Sequence, residues 1–416
     1  MENEYQQYAK EQDLCDPLKD YRNRFYIPQV NGKDVIYFCG NSLGLQPKSA
    51  REEIDKVFSN WQNMAVDGHF YGNDPWSDYH KKFREPLSKI VGAKPAEIAV
   101  MNNLTVNLHL GLVSFYRPDA KKYKIIMEAH AFPSDQYAVE TQIRHHGFEP
   151  EEAIIELEPE EGEELLETDR IIKVIEEHSE DAAIILLGGL QYYTGQLFEM
   201  GKICKAARKH GVRIGLDLAH AVGNVPLNLS EWGPDFAVWC SYKYLNSGPG
   251  AVSGMFINEK HHHPEVPRFA GWYGHKEEER FLMEKGFKPI ASADGWRLSN
   301  SAILNMATHY ASVKMFEEVG MKALREKSLL LTGFLEKLIG TFDFINVITP
   351  QDPEQRGCQL SLYFERNGRE IFEYIQKKGV IADWREPNVI RIAPVPLYNS
   401  FLDVYSFYEI IKSYNA

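Results

Sequence analysis

Short apolar runs alternate with longer stretches of helical period between residues 97 and 257. Ile98-Ala99-Val100-Met101 reads as a strand, and Asn102-Asn103-Leu104-Thr105 as the turn opening a helix that runs to about Tyr116. The strand-like run Tyr123–Glu128 leads to a helix starting at Pro133, whose fixed φ suits a first helical position. Ala183–Leu187 is apolar without interruption, the pattern of a strand covered on both faces. A helix from about Met200 to His210 stops at Gly211, a residue suited to the left-handed turn beyond a helix end. Val212–Leu216 with Asp217 at its carboxyl end, Phe236–Cys240 ending near Lys243, and Val252–Ile257 complete the series. This rhythm predicts an α/β fold with a mainly parallel sheet covered by helices. In such sheets ligands collect at the carboxyl ends of the strands. Thr105, Phe132, Asp217 and Lys243 all follow strand ends, which points to one shared cleft.

From about residue 302 the pattern lengthens into helices over Ala302–Glu318 and Met321–Ile339. Strand-like runs Phe344–Thr349, Cys358–Phe364 and Val389–Ala393 follow, with helices over Arg369–Lys378 and Phe401–Tyr414. The expected organisation is a large domain over residues 61–301 and a smaller α+β domain formed by 1–60 with 302–416. The acidic run Glu149–Glu167, broken by Ile154-Ile155 and Leu165-Leu166, reads as a solvated, partly ordered surface segment.

Composition narrows the function classes. A formal charge of −13 argues against nucleic acid or an anionic membrane surface as the main partner. No stretch of about 18 apolar residues is present, so no membrane-spanning helix is expected. The N-terminus lacks the basic start and apolar run of a signal peptide. The five cysteines are scattered without a Cys-x-x-Cys pair, as in a reduced, cytoplasmic protein without a zinc or disulfide framework. His261-His262-His263 reads as a solvated loop, because consecutive side chains point in different directions and cannot share a metal.

The chemistry concentrates in Trp239-Cys240-Ser241-Tyr242-Lys243-Tyr244-Leu245-Asn246, followed by Gly248-Pro249-Gly250. A lysine after a buried strand is where an amine can be tuned to form a Schiff base. The glycines are expected to let backbone approach a ligand closely. Asp217, with an apolar strand behind it, is placed to pair with a protonated pyridine nitrogen, and His220 is three residues on. Thr105 at a helix start offers a hydroxyl and backbone N–H groups for a phosphate. Phe132 is a candidate to stack on a ring, or else a core residue, and Asp135 a candidate partner nearby. Together these features suggest pyridoxal 5′-phosphate (PLP). Each also has a plainer reading: a surface lysine, a buried turn-capping aspartate, a structural histidine, a simple helix cap.

The motifs extend further. Tyr37–Pro47, Leu104–His109, Phe132–Asp135, Tyr193–Gln196, Asp217–Asn224, Cys240–Asn246, Gly271–His275, Arg297–Asn300 and Arg391–Ser400 together make the chain resemble the kynureninase family over nearly its whole length. These are PLP enzymes of fold type I in the class V aminotransferase group. The resemblance implies Lys243 as the Schiff-base lysine, Asp217 as the pyridinium partner and Phe132 as the stacking ring. It implies cofactor contacts from Leu104, Thr105, Asp135, His220, Tyr242, Trp272 and Asn300, the last two donated by the second subunit of a homodimer. Arg391 resembles the clamp for a substrate α-carboxylate, and His69, Ser42, Ser299 and Asn300 the surroundings of an aromatic substrate end. The implied reaction is hydrolysis of kynurenine or 3-hydroxykynurenine at the Cβ–Cγ bond, in tryptophan catabolism, with Tyr242 relaying a proton. Where some relatives carry a phosphate-contacting serine, this chain has Gly188-Gly189, whose N–H groups could substitute and to which no side-chain role is carried over. A cysteine desulfurase or aminotransferase on the same fold is the nearest rival, although neither Cys240 nor Cys358 reads as mobile. A Rossmann dehydrogenase is disfavoured, since no Gly-x-Gly-x-x-Gly follows a strand. The choice between the two kynurenines turns on one hydroxyl and is not legible here.

Overall fold

Seven strands form the central sheet of the computed structural model, which describes residues 2–414. They are β1 (Ile98–Met101), β2 (Lys124–Glu128), β3 (Ile154–Leu157), β4 (Ala182–Gly188), β5 (Arg213–Asp217), β6 (Phe236–Trp239) and β7 (Ser253–Ile257), in the spatial order β1-β7-β6-β5-β4-β2-β3. Only β7 runs antiparallel to its neighbours; β3, β2, β4, β5 and β6 pair in parallel.

The uninterrupted apolar strands follow from helices on both faces. On β4, Ile184 and Leu186 join one buried cluster with Leu108, Leu112, Val139 and Ile143. Ile185 and Leu187 face the other way, into a cluster with Ile171, Ile175, Ile203 and Ala207. The first cluster is supplied by helices α3 (Leu104–Phe115) and α4 (Pro133–His145), the second by α5 (Thr168–Glu177) and α6 (Met200–Lys209); α1 (Glu2–Cys15), α2 (Ser49–Met64) and a short helix over Arg84–Val91 precede them. Each of the buried Leu, Ile and Val side chains among these stabilises the fold by roughly 1.5–3 kcal/mol.

The acidic run is more structured than its charge suggests. Pro150–Ala153 forms a helical turn, and Ile154–Leu157 is β3, the edge of the sheet. Ile154 and Ile155 are half-buried and Leu157 is buried, which holds the strand, while the exposed Glu156 blunts the open edge.

The C-terminal part contains α7 (Ile303–Val319), α8 (Met321–Ile339), α9 (Gly368–Lys377) and α10 (Phe401–Tyr414). Its antiparallel sheet is β8 (Asn346–Val347), β9 (Leu360–Tyr363), β10 (Asp383–Arg385) and β11 (Val389–Ile392), in the order β8-β9-β11-β10. The strand expected over Phe344–Thr349 contracts to two residues, and β10 was not anticipated, because a three-residue strand leaves little period to read. The N-terminal residues pack on this part: Ile36-Tyr37 pairs in parallel with Val380-Ile381, Cys39 bridges Ala393, and Ala9 and Phe38 share a core with Leu335 and Phe407.

Of the three consecutive histidines, His263 is exposed as expected, but His261 and His262 are partly buried and bonded. His261 Nε2 lies 2.7 Å from Asp235, and His262 Nε2 donates to the Ile257 carbonyl at 2.9 Å. Among the described residues no helix is long and apolar enough to cross a membrane.

Candidate active site

Beyond β6 the chain turns so that Lys243 Nζ lies 2.8 Å from His220 Nε2 and 5.8 Å from the Phe132 ring centre. Burial, and then the neighbouring Lys243 charge, push the His220 imidazolium far below its usual range. The ring is therefore neutral, with Nε2 accepting from the ammonium and the proton on Nδ1. That Nδ1 is buried without a hydrogen-bond partner among the described residues. Phe132 is 42 % exposed and lines the same cleft, so it is a presented ring rather than a core residue. The turn is braced by Gly44, whose N–H donates to the Tyr242 carbonyl at 2.8 Å. A side chain at Gly44 would begin 2.4 Å from the Lys243 carbonyl oxygen, which explains the glycine. Gly248 and Gly250 serve differently from expectation. Nothing crowds them, and both hold positive φ, +91° and +65°, so they shape the turn into β7.

Three carboxyl groups converge below the lysine. Asp217 ends β5 and accepts from the Ala219 N–H at 2.7 Å. Asp135, in the first turn of α4, shares a hydrogen bond with it. Burial raises both groups, Asp135 the more strongly because it also faces the Asp217 charge; one of the two holds a proton. Glu128, the last residue of β2, is pushed up to about 7 by burial and by Asp217. It was missed in the sequence, although the rule that singled out Asp217, an acid closing an apolar strand, applies to it equally.

The N-termini of α3 and α4 meet at the same cleft. Thr105 Oγ1 and Ser134 Oγ are 2.8 Å apart. Asn103, not Thr105, occupies the cap position, and Thr105 sits one residue inside the helix. First-turn N–H groups of a helix have no partner within it and favour an anion. Leu104, Thr105 and Ser134 therefore present N–H and hydroxyl groups suited to an anion, and Ser134 was not assigned a role from sequence. Gly188 and Gly189 do not add to these: their N–H groups donate to Glu128 Oε1 at 3.3 Å and to the Asp217 carbonyl at 2.8 Å.

Tyr192 connects this cleft to Arg391. Its ring meets Phe132 edge-on at 5.4 Å, and its carbonyl accepts from Arg391 Nη1 at 2.7 Å. Arg391, on β11, is buried, and its Nη2 is paired with Asp383 directly across the ladder. Its Nε is unpartnered. Ser42 lies beside the Cys39 thiol on the same side, near Arg391. Tyr242 lines the cleft, and burial raises its phenol, so it stays protonated.

Four predicted residues are not brought to Lys243 within one chain. Trp272 donates to the Arg280 carbonyl at 3.0 Å and lines a separate surface pocket. Ser299 and Asn300 are exposed on an adjoining loop. His69 packs edge-on against Trp76, which lines an apolar groove with Trp61 and Leu304.

A relative described as kynureninase from Flavobacterium psychrophilum is 53% identical over 412 residues, covering 98% of this chain and 97% of the relative. The chain belongs to the kynureninase family. A kynureninase from Xanthomonas campestris is 50% identical over 98% of both chains. Residues 324–411 match the family model described as the kynureninase C-terminal domain, and residues 73–228 that of the DegT/DnrJ/EryC1/StrS aminotransferases. Among solved structures, a cysteine desulfurase from Thermococcus onnurineus NA1 superposes with a TM-score of 0.76 at 16% identity, covering 95% of this chain and 97% of that one. A C-DES chain with glycine covalently linked to its PLP cofactor gives 0.76 at 15%, covering 91% and 96%. The fold is that of fold type I PLP enzymes. The desulfurase likeness stops at the fold: Cys240 and Cys358 are buried, and burial pushes the Cys358 thiol up to about 12.

Proposed function

We propose that this chain binds PLP between Phe132 and Lys243 and hydrolyses L-kynurenine, or its 3-hydroxy form, at the Cβ–Cγ bond. The products are anthranilate, or 3-hydroxyanthranilate, and L-alanine. What carries the reading is the meeting of Lys243, Asp217 and the helix N-termini in one cleft, in a chain half identical to kynureninases.

The residues present fit the cofactor. The orphaned His220 Nδ1 and Asp135 Oδ1 await polar partners, Asp217 suits a protonated ring nitrogen, and Leu104, Thr105 and Ser134 suit the phosphate. When bound, PLP supplies an electron sink for bonds broken at the substrate's α- and β-carbons. Lys243, held by neutral His220, moves the proton at the substrate Cα. Asp217 keeps the proton on the ring nitrogen. The Tyr242 hydroxyl, still protonated at neutral pH, can deliver a proton to the Cβ of the departing alanyl group. Arg391, oriented by Asp383 and the Tyr192 carbonyl, holds the α-carboxylate. Anthranilate fluorescence with stoichiometric alanine is the expected result with kynurenine; sulfide from cysteine without anthranilate would favour the desulfurase alternative instead. Turnover of kynurenine against 3-hydroxykynurenine, repeated after changing His69, assigns the aromatic-end specificity.

The active unit is a homodimer in this reading. Phe58, Trp61, Phe70, Trp272, Phe281 and Leu304 are all 40 % or more exposed, a large apolar area for a monomer to show water. Trp272 and Asn300 then complete the neighbour's cleft. Mixing an inactive Lys243→Ala chain with an inactive Trp272→Ala chain should restore activity, up to about a quarter of wild type if subunits exchange freely in a twofold dimer. Each mixed dimer would hold one site with both defects and one with neither. No recovery after verified exchange argues against a shared site.

A further inference from the structure

Glu128, Gly188 and Asp217 form a row across the carboxyl ends of three neighbouring strands. Gly188 lies opposite Asp217 in the β4–β5 ladder, and β2 flanks β4 on its other side. Glu128 is 7 % exposed and lines the cofactor cleft. Its Oε1 takes the Gly188 N–H, while Oε2 is buried with no partner. A side chain at 188 would begin 2.7 Å from Oε1, so glycine is what leaves the carboxyl its place. A buried acid with one oxygen anchored and the other free is costly unless something arrives to use it.

We propose that Glu128 is a positioning residue for the cofactor ring: it holds a proton while the cleft is empty and gives it up when the ring nitrogen docks on Asp217. This rests on the reading that PLP binds here. The groups facing Glu128 fix the direction. Asp217 on β5 and Asp135 on α4 share one negative charge beside it, and that charge raises Glu128. Lys243 lies in the same cleft after β6, beside neutral His220. On the open side, a chamber of about 850 Å³ carries His130, Glu158, Glu163, Glu164 and Glu386 against Arg385. Acids outnumber cations, so the empty site favours the protonated carboxyl. A pyridinium nitrogen adds the missing positive charge and lowers the cost of ionising it. The proton passes to the ring nitrogen if that arrives unprotonated, and to solvent if it arrives protonated. Either way, binding to a chain with Glu128 takes up fewer protons than binding to one without.

The test is calorimetric titration of the apoprotein with PLP, in buffers of different ionisation enthalpy free of primary amines. Wild type and Glu128→Gln should differ by about half a proton per site at pH 7, since a group titrating there is about half protonated, and should agree at pH 9. Proton release on imine formation at Lys243 is common to both and cancels. Equal proton exchange at pH 7 with PLP visibly bound would overturn the proposal. Absence of PLP binding in wild type would instead overturn the cofactor reading beneath it. Should the Gln variant fail to fold, wild type can be titrated with a PLP analogue carrying CH in place of the ring nitrogen. A second analogue with a methylated ring nitrogen carries a fixed positive charge; the proposal requires that it release about half a proton more at pH 7 than the CH analogue does, and the same release from both would sink it.

Discussion

Lys243→Ala should lower kcat for kynurenine hydrolysis by at least about 10³-fold, the upper range for a residue that both forms the covalent link and moves the proton. The fold should survive. Among the described residues Lys243 Nζ has His220 as its one hydrogen-bond partner, and the backbone turn is held independently by the Gly44 N–H. Bound PLP should lose the absorbance and borohydride reactivity of a protein-linked imine while remaining associated through the helix N-termini. Circular dichroism and thermal melting close to wild type, with anthranilate release near background, is the expected pattern. A variant that retains full turnover would remove the lysine from the mechanism.

Asp217→Asn should cost nearly as much, about 10²–10⁴-fold in kcat, because an amide of the same shape cannot hold a proton on the ring nitrogen. Its effect on stability should run the other way. Asp217 and Asp135 are buried side by side, and burial raises both. Making one neutral relieves repulsion between like charges, so the apoprotein should melt no lower than wild type, and higher at alkaline pH where the pair is most ionised. The sign follows from the direction of the shifts. An acid raised on folding contributes its stability at low pH and loses it as pH rises through the folded value. A variant both inactive and unstable at pH 8 would mean that Asp217 chiefly supports the fold.

Much of this site was legible because the fold collects its chemistry at strand ends. Asp217 and Lys243 each follow an apolar run, and that position alone brings them together. Glu128 obeys the same rule and was passed over, since a glutamate ending Tyr123–Glu128 looks like the first polar residue of a loop. β3 was hidden by charge: Ile154 and Ile155 pack on opposite faces of the sheet, but the glutamates around them outweigh them in composition. Gly188-Gly189 looked like a phosphate contact, yet each N–H is used internally, a matter of neighbours across the sheet that no linear pattern records. Trp272, Asn300 and His69 could not be placed by periodicity at all. Only the resemblance linked them to the site, and one chain alone does not bring them to it.

The segment from Cys39 to Gly44 is a tether of fixed length. At one end Cys39 is bridged to Ala393, two residues beyond Arg391; at the other Gly44 is bonded to Tyr242, next to Lys243. Five virtual bonds reach roughly 18 Å when fully drawn out, and Gly40 is pinned where a side chain would begin 2.3 Å from the Tyr398 hydroxyl. The arginine that grips one end of a substrate and the lysine that works on it are thus leashed to each other. Any separation of the small sheet from the Lys243 turn is bounded by the span of this segment.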